Sequence, residues 1–272
     1  MFNKISSSYK KSKKLNSSFY EKIKIFFAIY GWQLKKEKKK KQQQIVNGNF
    51  LGYSFKSYNY WTIDYLFEEI FLNKEYYFEP ETNFPVILDC GANIGMSVLY
   101  FKKMFPDSKV LAFEPNPNSF KILEQNVKEN NLKNVEIYNF GLYDVEKEIS
   151  FFIDNNLSTL IGSMNQETGG DKELIVKTKK LSNYLKLFEV IDLVKIDVEG
   201  AEVNILKDLV ESSTIGRVKE YIIEYHHNLG SLKSNLSAFL AEFENNGYGY
   251  NIRTSFKKLR SFQDVLIHFY KV

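Results

Sequence analysis

The 272-residue chain holds one cysteine, Cys90, three histidines, and no apolar run long enough to span a bilayer. A lone thiol excludes a disulfide framework and any multi-cysteine metal cluster. The most apolar early stretch, "FYEKIKIFFAIYGW" (19–32), is interrupted by Glu21, Lys22 and Lys24. A spanning helix needs about 20 mostly apolar residues. No small-residue cleavage pattern follows the stretch, so no signal peptide is expected and a cytoplasmic home is the natural reading. What is present is 44% hydrophobic, 26% charged and 16% aromatic residues, the balance of a soluble globular chain. This length can bury the core of one large α/β domain plus an appendage.

The net charge is +4, but residues 1–44 alone carry thirteen lysines against Glu21 and Glu37. The basic character belongs to this arm, and the remainder is acidic. The arm ends in the low-complexity "LKKEKKKKQQQ" (34–44) and reads as a solvated tail or a peripheral contact with an anionic membrane. Aromatics do not interleave with its lysines as in a single-strand groove, so no nucleic-acid partner is expected. Residues 45–84 form an aromatic-rich lead-in with one helix expected near 62–73, packing on the main domain or covering its site. The domain itself is placed at 85–272, with an insert near 148–178.

From Val86 strands and helices alternate. "PVILDC" reads as a strand buried on both faces, followed by a helix that stops at Pro106. "KVLAFE" (109–114), a helix opened by Asn116, and "NVEIYNF" (134–140) come next, then two β-like runs, 148–153 and 173–178, around a polar loop. The alternation resumes with "IDLVKIDVEGAEVNILKDLV" (191–210), "KEYIIEYHH" (219–227), a helix over 231–247 and a terminal strand, "FQDVLIHFYKV", expected antiparallel. This order predicts a doubly wound α/β sheet.

Ligands of such sheets bind beyond the carboxyl ends of the strands. There "DCGANIG" supplies a glycine turn, and Glu114 ends the next strand where it can accept from both ribose hydroxyls. Gly91 and Gly95 allow close backbone approach. The spacing is G-x-x-x-G rather than the dinucleotide G-x-G-x-x-G. Asp89 also sets a carboxylate where a pyrophosphate wants none. S-adenosylmethionine, cationic and free of phosphate, suits Asp89 and Glu114 better than NAD. A buried acid needs a partner, and the ligand's positive charge is the expected one.

"ILDCGANIGMSVLYF", "VLAFEPNPNSFKILEQNV" and "LVKIDVEGAEVNILKDL", in that order, resemble the FkbM family of S-adenosylmethionine-dependent methyltransferases over residues 84–228. The resemblance implies the class I methyltransferase fold, a Rossmann-like doubly wound sheet of seven strands with a reversed last strand, and O-methyl transfer to a hydroxyl. It assigns Asp89, Gly91, Asn93 and Gly95 to the methionine-binding turn and Glu114 to the ribose, with Asn116 beside the adenosine. Asp144 goes to the adenine edge or to loop anchoring. Asp197 meets the methionine end or the incoming hydroxyl.

Methyl transfer to an alcohol needs the hydroxyl held about 3 Å from the methyl carbon and its proton removed. The candidates are Asp197, Glu199, Glu224, His226 and His227 at the ends of the fourth and fifth strands. His226, titratable near neutrality, is the expected base. Asp197, Glu224 and His226 binding Mg²⁺ or Mn²⁺ is the less favoured alternative. The acceptor expected is a small-molecule hydroxyl, a sugar or nucleotide-sugar precursor of a cell-surface glycan. The competing readings are an NAD-dependent dehydrogenase and a methyltransferase-like adaptor that works through its basic arm.

Overall fold

The computed structural model describes residues 2–15, 18–38, 45–153, 162–163, 170–228, 235–254 and 262–272. Two helices open the chain, α1 (Phe2–Lys14) and α2 (Phe19–Lys38). The hairpin β1 (Val46–Phe50) and β2 (Tyr53–Ser57) follows, turning at Leu51 and Gly52, both at positive φ. Helix α3 (Tyr60–Leu66) then winds on into π-helical turns over Phe67–Leu72. The expected lead-in helix is therefore present; the hairpin, whose residues alternate only weakly in character, was not anticipated.

The central sheet contains β3 (Val86–Cys90), β4 (Lys109–Phe113), β5 (Val135–Tyr138), β10 (Ile191–Ile196), β11 (Val218–His227), β12 (Tyr248–Thr254) and β13 (Gln263–Lys271). Its order is β12-β13-β11-β10-β3-β4-β5. Strands from β11 to β5 pair in parallel, while β13 runs antiparallel to both β11 and β12. This is the class I S-adenosylmethionine-dependent methyltransferase sheet, seven strands with the last reversed. Six of its strands were read from apolar runs. The seventh, β12, carries Asn251 and Arg253 on a largely exposed edge and has no such run.

Helices α4 (Met96–Met104) and α5 (Pro117–Glu129) cross between parallel strands, as parallel pairing demands. So do α6 (Leu181–Leu185) and α7 (Glu202–Glu211), and α8 (Leu236–Asn245) leads to β12. The insert contributes β6 (Gly141–Leu142), β7 (Glu148–Ile153), β8 (Gly162–Ser163) and β9 (Lys172–Lys179), a small sheet built on the antiparallel β7–β9 pair. The pocket-shaping role expected of residues 154–172 falls mainly outside the described residues.

Two apolar layers sandwich the sheet. One joins Leu88, Leu111 and Tyr221 to α6, α7 and α8. The other joins Ile87, Val110 and Ile222 to α4, α5, the hairpin, α3 and α2, with Ile25, Ile29 and Trp32 buried in it. Trp32 meets the rings of Phe50 and Phe67 edge-on. Helix α2 is therefore not a solvated tail, because it shares the core of the lead-in. Asn126 and Asn130 of α5 bind the backbone of Lys56 and Ser54 on β2 through both donor and acceptor atoms. These amides stand in for a neighbouring strand and tie the lead-in to the domain.

Candidate active site

Two adjoining clefts open at the carboxyl ends of β3, β4 and β10. The first is lined by Gly91, Asn93, Phe113, Glu114, Asn116, Ser119, Phe140, Leu142 and Phe151. The second is lined by Trp61, Tyr65, Glu69, Tyr76, Met96, Lys195 and Glu224. Gly91, Asn93, Asp197 and Glu199 border both.

Gly91 sits at φ +85°, and a Cβ there would lie 1.8 Å from the carbonyl oxygen of Asp197. Only glycine permits that crossing of β3 and β10. Gly95, also at positive φ, would place a Cβ 2.7 Å from Leu123 Cδ1, so it brings α4 close to α5. The Glu114 carboxylate accepts from the backbone amides of Asn93 (2.8 Å) and Asn116 (2.7 Å). Burial outweighs those two bonds and pushes its carboxyl up to about 7. Asn116 uses its side chain to cap α5, accepting from the Asn118 amide.

Asp89 requires a correction. It is fully buried and does not line either cleft, and its charge is answered from within the chain. One oxygen accepts from Ser97 Oγ at 2.5 Å, and the other lies 3.3 Å from Lys195 Nζ. Lys195, itself 1% exposed, also donates to the Gly91 carbonyl (2.8 Å) and stands 3.3 Å from Asp197. Burial works against its charge, yet Asp197 and Asp89 prevail and hold the ammonium above its usual pKa. The partner expected from a ligand is thus a resident lysine. Lys195 was visible as the one basic residue inside "DLVKI", but a lone strand lysine does not reveal what faces it.

Asp144 accepts from Lys207 (2.8 Å) and Asn204 of α7, contacts of the anchoring kind, and does not line the first cleft. Burial would raise its pKa, but Lys207 holds it below the usual range.

His226 is placed differently from a free base. Its Nδ1 lies 2.7 Å from Glu202, and its Nε2 lies 3.2 Å from Glu199. Burial favours the neutral ring, but the two carboxylates overrule it and raise the pKa well above the ordinary value. An imidazolium with both nitrogens engaged has no lone pair to offer a hydroxyl. Glu202, overlooked in the motif "VEGAE", also accepts from the Gly200 amide and fixes the turn in which Glu199 takes φ +55°.

Proton acceptors remain in the second cleft. Burial, reinforced by Asp197, lifts Glu224 well above the carboxylate range, and burial lifts Glu69 to about 7. Asp197 Oδ2 receives the Tyr76 hydroxyl at 3.3 Å. The residues weighed for a divalent ion split into two overlapping triads, Asp197–Glu199–His226 and Glu224–His226–Asp264, each within 4.8 Å. Both depend on His226, and an imidazolium is no ligand until it loses its proton. At the rim of the cleft, Trp61 and Tyr65 stack 5.0 Å apart and nearly parallel, both exposed.

The sheet order and glycine turn define a class I methyltransferase. A family profile described as "Methyltransferase FkbM domain" matches residues 89–250, and the chain belongs to that family. Methyltransferase 1 of Beauveria bassiana is 31% identical over 172 residues, covering 54% of this chain and 67% of its own. The hexuronic acid methyltransferase AglP of Haloferax volcanii is 28% identical over 143 residues, covering 52% and 56%. The 2-O-methyltransferase NoeI of Sinorhizobium fredii is 27% identical over 146 residues, covering 48% and 59%. M. jannaschii TYW2 in complex with AdoMet matches at TM-score 0.45 with 16% identity, covering 85% of this chain and 89% of its own. No described helix is long and apolar enough to cross a membrane.

Proposed function

We propose that the chain is an S-adenosylmethionine-dependent O-methyltransferase acting on a hydroxyl-rich small molecule, a sugar or sugar precursor of a glycan. The observation that carries this reading is the second cleft. It joins the cofactor-side cleft at Asp197, bears carboxylates on its walls and presents a flat aromatic pair at its rim. Carboxylates accept hydroxyl protons, and stacked rings offer a platform to the apolar face of a pyranose.

The residues present fit the cofactor. Gly91 lets the turn after β3 close against Asp197 at the border of the two clefts, Glu114 presents an aligned carboxylate to the ribose, and Phe113, Phe140, Leu142 and Phe151 line an apolar slot for the adenine. When bound, S-adenosylmethionine supplies an electrophilic methyl group. Asp89 acts through Lys195, which fixes Asp197 and the Gly91 carbonyl. Asp197, held by Lys195 and Tyr76, orients the acceptor hydroxyl. Glu224 takes its proton, a task that favours a carboxylate lifted toward neutrality. His226 is a positioning residue that locks Glu199 and Glu202.

The names of NoeI and AglP support sugar O-methylation. The carboxylate walls favour a neutral ring over the hexuronic acid in the latter's name, because a uronate would meet like charge. The test is methyl transfer by the full chain to matched neutral and uronate sugars. Glu224→Gln should lose ~10²–10⁴-fold in rate with cofactor affinity nearly unchanged. An active Glu224→Gln enzyme would remove it as the base. Activity abolished by chelator and restored by Mn²⁺ would instead favour the metal reading.

A further inference from the structure

Helix α2 buries one side and leaves a second apolar side in solvent. Ile25, Ile29 and Trp32 face the core. Phe19, Tyr20, Ile23, Phe27 and Leu34 are exposed, Phe19 by 80% and Phe27 by 64%. At 3.6 residues per turn these five fall within an arc of about 100°, turned away from Ile25, Ile29 and Trp32. Being apolar on two sides, α2 lacks the single polar outer face of an ordinary surface helix. A contiguous exposed stripe of this kind marks an interaction surface.

Among the described residues, the exposed charges beside the stripe are lysines. Lys24 and Lys35 are exposed, with the Lys24 ammonium over the Tyr20 ring at 4.4 Å. Neighbouring α1 packs on α2 and exposes Lys10, Lys13 and Lys14 together with Ile5 and Tyr9. Other arm lysines are committed inward, Lys11 to Asp64 and Glu68 and Lys36 to Asp64.

We propose that this face of α2 docks the protein on an anionic lipid surface. The aromatic and aliphatic side chains would enter the boundary between headgroups and acyl chains, and the lysines would meet lipid charge. Apolar burial and electrostatic attraction are the two contributions that hold an interfacial helix. A second copy of the chain is the rival occupant. Pairing the stripe with itself sets lysine against lysine, whereas an anionic surface supplies the opposite sign.

The experiment is co-sedimentation of the full chain with vesicles of phosphatidylcholine alone, or with about one-third phosphatidylserine. The wild type should pellet only with the anionic vesicles and be released by about 0.5 M salt. The double variant Ile23→Ser/Phe27→Ser should bind at least about tenfold more weakly, with an unchanged circular dichroism spectrum and melting temperature. Lys24→Glu/Lys35→Glu, which alters no apolar side chain, should do the same. The proposal is overturned if the wild type ignores anionic vesicles or if both variants pellet like it. A wild-type dimer that Ile23→Ser/Phe27→Ser dissociates, with no lipid binding, would assign the face to a second copy.

Discussion

Glu114, the residue proposed to hold the ribose, couples that role to stability. Its two oxygens are already aligned by backbone amides, so Glu114→Ala should weaken S-adenosylmethionine binding by roughly 1.5–3 kcal/mol in calorimetric titration, the range for charge-assisted hydrogen bonds. The same burial gives a pH signature without ligand. The folded carboxyl titrates near 7 rather than at its ordinary 4.5, so the folded state binds the proton more tightly than the unfolded one. The stability difference is complete below the lower value and shrinks as pH rises through the higher. Free protein should therefore lose up to about 3 kcal/mol between pH 4.5 and 7 from this group. Glu114→Gln should flatten that slope in urea titrations at a series of pH values, whatever it does to the midpoint. Glu114, Gly91 and Asn116 were singled out from the glycine turn and the strand-ending acid, and all three line the first cleft. Asp89 was legible as anomalous, but its true partner was not. Lys195 lies more than a hundred residues downstream, and only the parallel pairing of β10 with β3 brings them together.

At the scale of elements, strands buried on both faces were easy to read, since short, mostly apolar runs such as "VILDC" and "IDLVKI" are too brief for helices and alternate with helical patterns. The hairpin β1–β2 and edge strand β12 were not, because their stability comes from what they lie against. β2 is completed by Asn126 and Asn130, and β12 by β13. Helix α2 was misread for a related reason: its lysines dominate composition while its buried side is set by only a few residues. Trp32→Ala should therefore cost about 3–5 kcal/mol, the penalty of a large core truncation, measured by denaturant unfolding. A surface tail would lose almost nothing. Deleting residues 1–44 should similarly leave Phe50 and Phe67 uncovered and yield an insoluble or molten chain, rather than the independently folded domain first expected. Turn 199–202 is another case of an element held from outside, here by His226. His226→Asn should lower the transfer rate and move its pH inflection upward, because the imidazolium holds Glu224 down, but the inflection should persist, as it would not after loss of the general base.

The acceptor cleft belongs to the whole molecule, because no single element contains it. Its wall takes Glu69 from the lead-in, Asp197 from the turn after β10 and Glu224 from β11, and Asp264 of β13 lies beside Glu224 without lining the cleft. None of these spacings forms a motif: Asp197 and Glu224 were singled out only as acids at the ends of their strands, and Glu69 and Asp264 were not singled out at all. Burial lifts Glu69 and Glu224, and the charges of Asp197 and Asp264 add to both displacements. Glu69 and Glu224 therefore form a set whose protons are held above the ordinary carboxylate range. The transfer rate should rise with pH through neutrality as the set loses protons, since only an ionised carboxylate accepts the hydroxyl proton. Removing a neighbouring negative charge makes ionisation easier, so Asp264→Asn should move the inflection to lower pH, by about half a unit to one unit. The rate on the high-pH plateau should stay within a few-fold of wild type, because Asp264 accepts no proton from the acceptor. Initial rates of methyl transfer between pH 5.5 and 9, with the acceptor saturating, give the comparison. An inflection that stays fixed in Asp264→Asn but disappears in Glu224→Gln would leave Glu224 as the base and show that its pKa is set by burial alone. An inflection unmoved by both would place the proton acceptor outside this set of carboxylates.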